Sequence, residues 1–224
     1  MSVQGVLFDL DGIITQTATL HAQAWADLAQ AHFGMSLPPT VAEATKGVDR
    51  ETSLKIVLAS LDQQVTPAVF KQLAAEKNAR YQASLTDLSP ASILPGIPDL
   101  LATLRKAGIK LALASASQNG PRILQQLGLS NSFDAIADPT QVAHGKPAPD
   151  IFIAAAHALA LAPEVCVGVE DAQAGVLAIN ASGAVAVAVG DAKLLQAAQV
   201  VVPSTAELLL PLFQKAWLMA QDHQ

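Results

Sequence analysis

Two patterns of hydrophobic and polar residues divide the chain. In the second half, short apolar runs alternate with amphipathic segments, and Val6-Leu7-Phe8 forms a similar run near the amino terminus. Apolar runs separated by helical segments are typical of parallel strands that helices cover on both faces. The sequence therefore predicts an α/β fold with a doubly wound parallel sheet. The other predicted strands are 109–115, 133–138, 165–171, 184–190 and 200–202.

Amphipathic segments between these runs predict helices. In the segment 119–128, Asn119 is a candidate helix cap, Pro121 falls in the first turn and Gly128 ends the segment. The predicted helices of this half are 94–108, 119–128, 150–161, 172–183, 192–198 and 206–221.

The region that follows the first strand has a different pattern. Helical periodicity runs through 17–34, 51–61 and 66–88, with no convincing strand between them. This pattern predicts a helical domain, residues 17–92, inserted into an α/β domain formed by residues 1–16 and 93–224. The predicted linkers between the two domains are 14–18 and 89–95.

Composition excludes several classes of protein. Of 224 residues, 51% are hydrophobic, and 19 acids against 13 bases give a net charge of −6, so we expect no nucleic-acid partner. No signal peptide or long uncharged apolar stretch is visible, so we expect a cytoplasmic protein that does not bind membranes, and we expect a monomer. The single cysteine, Cys166, lies in an apolar run and is expected to fill the core.

Polar side chains follow four of the predicted strands. Ligands of doubly wound sheets bind at the carboxyl ends of the strands, so these side chains should share one edge. The residues delivered there are Asp9 and Asp11 after the first strand, Ser115, Ala116, Ser117 and Asn119 after the second, Lys146 after the third, and Glu170 with Asp171 after the fourth.

This set of groups has a consistent chemistry. Carboxylates suit Mg²⁺, which also takes water and substrate phosphate as ligands. Hydroxyl, amide and backbone N–H groups at a helix start bind phosphate oxygens, and lysine adds positive charge. A carboxylate can also attack phosphorus and form an aspartyl-phosphate.

Each residue also has a simpler interpretation when it is taken alone. Asp9 could be a strand-end turn residue, and Asp11 with Gly12 could be an ordinary turn pair. Ser117, Asn119 or Asp171 could cap a helix. Lys146 could be a solvated surface lysine, and trans is the default for the bond before Pro147. These interpretations do not explain why four strands end in complementary groups.

The order of these groups resembles a known superfamily. "DLDG" (9–12), Ser115, Lys146 and "GVEDAQAG" (168–175) resemble the four motifs of the haloacid dehalogenase superfamily of phosphotransferases. Longer segments such as "TKGVDRETSL", "ASASQNGP" and "GKPAPDIF" are similar to its β-phosphoglucomutase family, over essentially the whole chain. The resemblance implies a Rossmann-like core with an inserted helical cap.

The resemblance also implies a role for individual residues. Asp9 matches the nucleophile, and Asp11 matches the general acid/base. Mg²⁺ would be held by Asp9, the Asp11 carbonyl and Asp171, with Glu170 beside them. The transferring phosphate would lie on Ser115, Ala116 and Lys146, and the second phosphate on Ser117 and Asn119. The cap residues that match sugar-site positions are Thr17, His21, Gly47, Val48, Arg50 and Lys77.

The cap residues can also be read without the resemblance. Asp49 can cap a helix that starts near residue 51, which places Arg50 in its first turn, where a cation opposes the helix dipole. An anion facing Arg50 would explain that position, but an exposed arginine is the interpretation that the sequence alone favours. Lys77 lies on an apolar helix stripe and could extend past its edge to solvent. His21 could be an ordinary boundary histidine.

Two positions depart from the pattern of the family. Gln16 stands where an acid is usual, which puts the hinge in doubt, and Gln118 stands where many relatives have lysine.

The implied reaction interconverts β-D-glucose 1-phosphate and D-glucose 6-phosphate through phospho-Asp9 and β-D-glucose 1,6-bisphosphate. A small-molecule phosphatase on the same scaffold is the alternative enzyme. A non-catalytic sugar-phosphate-binding protein is the alternative of another class. The presence of Asp9, Asp11, Lys146 and Asp171 argues against it, because binding alone needs no acid/base beside a nucleophile.

Overall fold

The computed structural model describes residues 2–221. Its centre is a sheet of six parallel strands in the order β3-β2-β1-β4-β5-β6. The predicted strands are confirmed, although β3 is reduced to two residues. Their bounds are β1 Gly5–Phe8, β2 Lys110–Leu113, β3 Ala135–Ile136, β4 Cys166–Glu170, β5 Val185–Val189 and β6 Val200–Val202.

Helices cover both faces of the sheet because its strands are apolar on both sides. Val6 and Phe8 of β1 join one hydrophobic cluster, and Leu7 between them joins the other. Residues of α5, α6 and α9 pack in the first cluster, and residues of α7 and α8 pack in the second. The helices are α5 Ile97–Lys106, α6 Gly120–Gln126, α7 Asp150–Ala158, α8 Gln173–Ser182 and α9 Leu210–Gln221.

Four helices lie between β1 and α5. They share a third hydrophobic cluster, which includes Trp25, Leu54 and Leu73 and is separate from the two clusters of the sheet. This cluster supports the predicted domain division, which stays a prediction. Met1 and residues 222–224, which the prediction assigns to the α/β domain, lie outside the described residues. The bounds are α1 Ala18–Phe33, α2 Thr40–Ala44, α3 Arg50–Ser60 and α4 Pro67–Ser84.

Three element predictions were wrong in detail. The helix predicted at 192–198 is a series of turns that begins at Asp191, because so short a segment between two strands gains too few hydrogen bonds to sustain a helix. The final helix starts at Leu210 rather than at 206, since Pro211 has no N–H to donate and is tolerated only in a first turn. The five-residue helix α2 was not predicted, because it is shorter than the window in which periodicity is visible.

Along residues 2–221, none of the helices combines the length and the apolar character that crossing a lipid bilayer requires.

Candidate active site

Side chains at the carboxyl ends of β1 and β4 contact the same lysine. The ammonium group of Lys146 lies 2.6 Å from Asp9 Oδ1, which follows β1, and 2.7 Å from Glu170 Oε1 at the end of β4. Lys146 is 2% exposed, so the surface-lysine interpretation is wrong. Its bond to Pro147 is cis, not the default trans. The structure therefore brings the first, third and fourth motifs into direct contact.

The charges around Lys146 explain how it stays ionised when buried. Burial alone disfavours the ammonium, but the nearby carboxylates of Asp9 and Glu170 outweigh it and raise the pKa of Lys146. The ring of Phe152 adds a cation–π contact, with 4.9 Å from the nitrogen to the ring centre. Burial also raises the pKa of Asp9, although Lys146 opposes that shift.

Two glycines allow the carboxylates to approach the backbone. Gly12 has a φ of 77°, and a Cβ there would lie 1.7 Å from Asp171 Oδ2. A Cβ on Gly175 would lie 1.8 Å from Glu170 Oε1. Glu170 Oε2 accepts hydrogen bonds from the backbone N–H groups of Asp171 and Ala172, both at 2.8 Å. The glycines of the first and fourth motifs are thus required by close contacts with the carboxylates.

Three carboxylates form a cluster that could hold a metal ion. Oxygen atoms of Asp9, Glu170 and Asp171 all lie within 4.8 Å of one another. Burial, followed by the charge of Glu170, raises the pKa of Asp171 to about 7, so its anionic form gains from further positive charge. Carboxylate oxygens are the donors that hard divalent cations prefer, so this donor set fits such a cation.

Sequence reasoning missed a second lysine at this cluster. Lys46, in the loop between α2 and α3, lies 3.0 Å from Asp171 Oδ2 and donates to the Asp171 carbonyl at 3.2 Å. Within the segment 45–50, the sequence predicts roles for Gly47, Val48, Asp49 and Arg50 but not for Lys46. Lys46 joins the helical insertion to the acidic cluster.

Asp171 does not cap α8, whose capping residue is Ala172.

Asp11 lies beside Asp9 in a different environment. Its backbone N–H donates to Asp9 Oδ2 at 2.9 Å. Its own carboxylate accepts the N–H of Thr17 at 2.9 Å and the Thr17 hydroxyl as well. On the other side, Nε2 of His21 lies 3.5 Å from Asp11 Oδ2. Burial raises the pKa of Asp11, against the hydrogen bonds from Thr17, so a proton on this carboxyl is favoured.

Lys77, which is buried, and His21, which is partly exposed, form a pair behind Asp11. Lys77 Nζ lies 2.6 Å from His21 Nδ1 and above the rings of Trp25 and Tyr81. Lys77 is 2% exposed, so it does not extend to solvent as one interpretation suggested. Burial, with the charge of Arg50, lowers the pKa of Lys77 to about 7, and burial lowers the pKa of His21 below its usual value. A neutral His21 can accept from Lys77 and present its other N–H to Asp11.

The residues after β2 form successive turns at the start of α6. The N–H of Ser117 donates to Ser115 Oγ at 3.1 Å, and the N–H of Asn119 donates to Ser117 Oγ at 3.2 Å. The Asn119 side chain does not cap α6, as one interpretation proposed. Instead it contacts two residues of α4, since Asn119 accepts from Gln82 at 2.8 Å and donates to Asn78 at 3.0 Å. Asn119 thus links the helical insertion to the α/β domain.

These groups surround one cavity of about 830 Å³ between the helical insertion and the sheet edge. Gln16 and Gln118, the two departures from the family pattern, also line it. Thr17, Glu170 and Asp171 contact lining residues without lining it themselves. The predicted residues that do line it are Asp9, Asp11, His21, Gly47, Val48, Arg50, Lys77, Ser115, Ala116, Ser117, Asn119 and Lys146.

Arg50 faces this cavity from the first turn of α3, as predicted. The side chain of Asp49 caps the helix by accepting from the N–H groups of Glu51 and Thr52, each at 2.9 Å. Arg50 is half-buried, and burial lowers its pKa. Within residues 2–221, the ion pairs of the structure do not include Arg50. A half-buried arginine without a carboxylate partner, facing a cavity, favours an anionic ligand.

Comparison with known proteins identifies the family of the chain. The family model of the haloacid dehalogenase-like hydrolases matches residues 3–183. The chain is 41% identical over 217 residues to a β-phosphoglucomutase of Bacillus subtilis (strain 168), with 96% of each chain covered. A crystal structure of β-phosphoglucomutase from Clostridium difficile matches with a TM-score of 0.95 at 36% identity, over 98% of this chain and 99% of that chain. Hexitol phosphatase A of Escherichia coli (strain K12) is 33% identical over 84% of each chain. The chain belongs to the haloacid dehalogenase-like hydrolase family.

Proposed function

We propose that this protein is a β-phosphoglucomutase, which interconverts β-D-glucose 1-phosphate and D-glucose 6-phosphate. The observation that carries the proposal is the arrangement of cations around one cavity. Lys146 lies at its sheet end beside Asp9, and Arg50 faces the same cavity from the helical insertion without a carboxylate partner. A sugar bisphosphate has two anionic ends, and these two cations match them. The similarity to the Bacillus subtilis mutase supports the same reaction.

In the proposed reaction, Asp9 carries the phosphoryl group. Phospho-Asp9 transfers it to the 6-hydroxyl of β-D-glucose 1-phosphate, and Asp11 takes the proton of that hydroxyl. The bisphosphate then turns around in the cavity. Asp9 attacks the 1-phosphate, and Asp11 returns its proton to the leaving sugar oxygen. The products are D-glucose 6-phosphate and a regenerated phospho-Asp9.

The environments of the two aspartates suit these different roles. Asp9 is buried against Lys146, which compensates the charge of the phosphoryl group that Asp9 attacks. Asp11 is held by Thr17 and faces His21, and burial raises its pKa, so it can hold a proton between the two transfers. Ser115 and Ala116 lie at the same end of the cavity, where they would bind the transferring phosphate.

Asp9, Asp171 and the Asp11 carbonyl would hold Mg²⁺, with Glu170 contributing charge and fixing Lys146. The bound ion would supply positive charge to the oxygens of the transferring phosphoryl group. The proposed substrates are sugar phosphates. The oligomeric state and the localisation stay predictions: a monomer in the cytoplasm.

The helical insertion would keep water from the aspartyl-phosphate. Lys46 contacts Asp171 and Asn119 contacts Asn78, so both sides of the insertion are attached to the α/β domain across the cavity. A mutase needs this exclusion because water would otherwise hydrolyse phospho-Asp9.

The experiment that tests the proposal supplies β-glucose 1-phosphate, Mg²⁺ and a catalytic amount of glucose 1,6-bisphosphate, and follows glucose 6-phosphate and free phosphate together. We expect glucose 6-phosphate to dominate, and Asp9→Asn should abolish its formation. The similarity to hexitol phosphatase A supports a second candidate, a sugar-phosphate phosphatase. Stoichiometric release of free phosphate without isomerisation would establish that activity in place of the mutase.

A further inference from the structure

The hydroxyl of Tyr81 is buried without a hydrogen bond. Tyr81 lies on α4 and is 0% exposed. Its hydroxyl oxygen is the buried side-chain polar atom that lacks a hydrogen-bond partner within residues 2–221. An unpaired buried hydroxyl costs free energy, and phenylalanine would fill the same space without that cost. A group of this kind in a native protein calls for an explanation.

The ring of Tyr81 supports His21. The two rings lie with centroids 3.9 Å apart and planes inclined by 33°. His21 in turn faces Asp11, with 3.5 Å between His21 Nε2 and Asp11 Oδ2. Tyr81 therefore helps to set the plane of the imidazole that faces the proposed acid/base.

Tyr81 packs on His21, which faces Asp11, and Asp11 in turn is held by Thr17. Burial is the main cause that raises the pKa of Tyr81, the charge of Asp11 raises it further, and the Thr17 side chain lowers it. Thr17 gives its own hydroxyl hydrogen to Asp11. The oxygen of Thr17 therefore keeps lone pairs that can accept a hydrogen bond, and the O–H of Tyr81 is a donor at hand.

We propose that Tyr81 is a positioning residue for Asp11. Its hydroxyl donates to Thr17 Oγ1 during proton transfer, which completes a chain from Tyr81 through Thr17 to the Asp11 carboxylate. A donor on the Thr17 oxygen strengthens the hydrogen bond that Thr17 gives to Asp11. The inference rests on the proposed function, in which Asp11 takes a proton from one sugar oxygen and returns it to another.

The test compares two reactions of the Tyr81→Phe variant. Isomerisation of β-glucose 1-phosphate needs Asp11 to move a proton, whereas phosphorylation of Asp9 by acetyl phosphate does not, because the leaving acetate needs no proton. We expect kcat for isomerisation to fall about three- to tenfold, the effect of one neutral hydrogen bond. KM and the rate with acetyl phosphate should stay within about twofold of the parent values. The melting temperature should not fall, since the variant loses an unpaired group.

Phe213→Leu is the matched control, because Phe213 is also a fully buried aromatic residue of the same core cluster but lies on α9, which packs on α5 and β5. It should lower the melting temperature and leave the ratio of the two rates unchanged. Parent-like isomerisation by Tyr81→Phe, or an equal loss in both reactions, would overturn the proposal.

If the parent releases phosphate without isomerising, the mutase proposal fails separately. Tyr81 is then tested by the rate of phosphate release from glucose 6-phosphate against the rate with acetyl phosphate, because the sugar leaving group also needs a proton.

Discussion

Replacing Arg50 with alanine should separate isomerisation from hydrolysis. Arg50 faces the cavity from the helical insertion, while the proposed nucleophile Asp9 lies at the sheet edge beside Lys146. In a mutase, the phosphate that is not reacting must be held while the other is transferred. Arg50 is the arginine positioned for that role, because it lines the cavity and its charge lowers the pKa of both Lys77 and His21.

The size of the effect follows from the number of hydrogen bonds. A guanidinium that binds a phosphate in a bidentate manner makes two charge-assisted hydrogen bonds, each worth roughly 1.5–3 kcal/mol. Losing both corresponds to roughly a 10²- to 10⁴-fold loss in kcat/KM for isomerisation. Stability should change in the other direction. A cation in the first turn of α3 opposes the helix dipole, so its removal should raise the free energy of unfolding by up to about 1 kcal/mol.

The assay measures glucose 6-phosphate and free phosphate in the same reaction, and urea denaturation of the same preparation gives the free energy of unfolding. Arg122→Ala is the matched control, since Arg122 also lies in the first turn of a helix but is exposed and does not line the cavity. It should leave both rates unchanged. Hydrolysis of phospho-Asp9 by Arg50→Ala should persist. Isomerisation within about threefold of the parent rate would contradict the role of Arg50 as a phosphate ligand, because a single weak contact would account for so small a change.

Three further predictions follow from the same geometry. Asp11→Asn should lower the rate of transfer to the sugar hydroxyl by roughly 10²- to 10⁴-fold while calorimetry still detects Mg²⁺ binding, and a loss below about tenfold would contradict the acid/base role. Asp171→Ala should abolish activity, with at most partial recovery at high Mg²⁺, and full parent activity in excess chelator would contradict a metal requirement. Lys77→Met removes a buried ammonium whose pKa lies near 7 rather than at the usual 10.5. Between these pH values the unfolded chain of the parent binds a proton that the folded chain does not, so the parent gains stability as pH rises. Urea denaturation at several pH values should therefore show that the free energy of unfolding of Lys77→Met, relative to that of the parent, decreases from pH 7 to pH 10.5. A difference between the two proteins that stays constant over this range would refute the lowered pKa of Lys77.

The sheet and the order of its functional groups could be predicted from the sequence because their signals are local. Apolar runs mark buried strands, and the residue that ends each run must lie at the carboxyl edge of a parallel sheet. Asp9 and Glu170 follow from that rule alone. Capping of α3 by Asp49 was equally predictable, since the cap and the N–H groups it accepts from lie within three residues.

Contacts between distant segments were decided only by the tertiary structure. Lys146 reaches Asp9 across 137 residues of sequence, and no local signal distinguishes it from a surface lysine. Lys77 is buried because α4 packs against α1, which brings His21 to its ammonium group. The ion pair of Lys46 with Asp171 and the unpaired hydroxyl of Tyr81 likewise depend on how the helical insertion packs on the sheet edge. Periodicity along the chain shows which residues face a core, but the partner across that core is determined by packing between elements far apart in sequence.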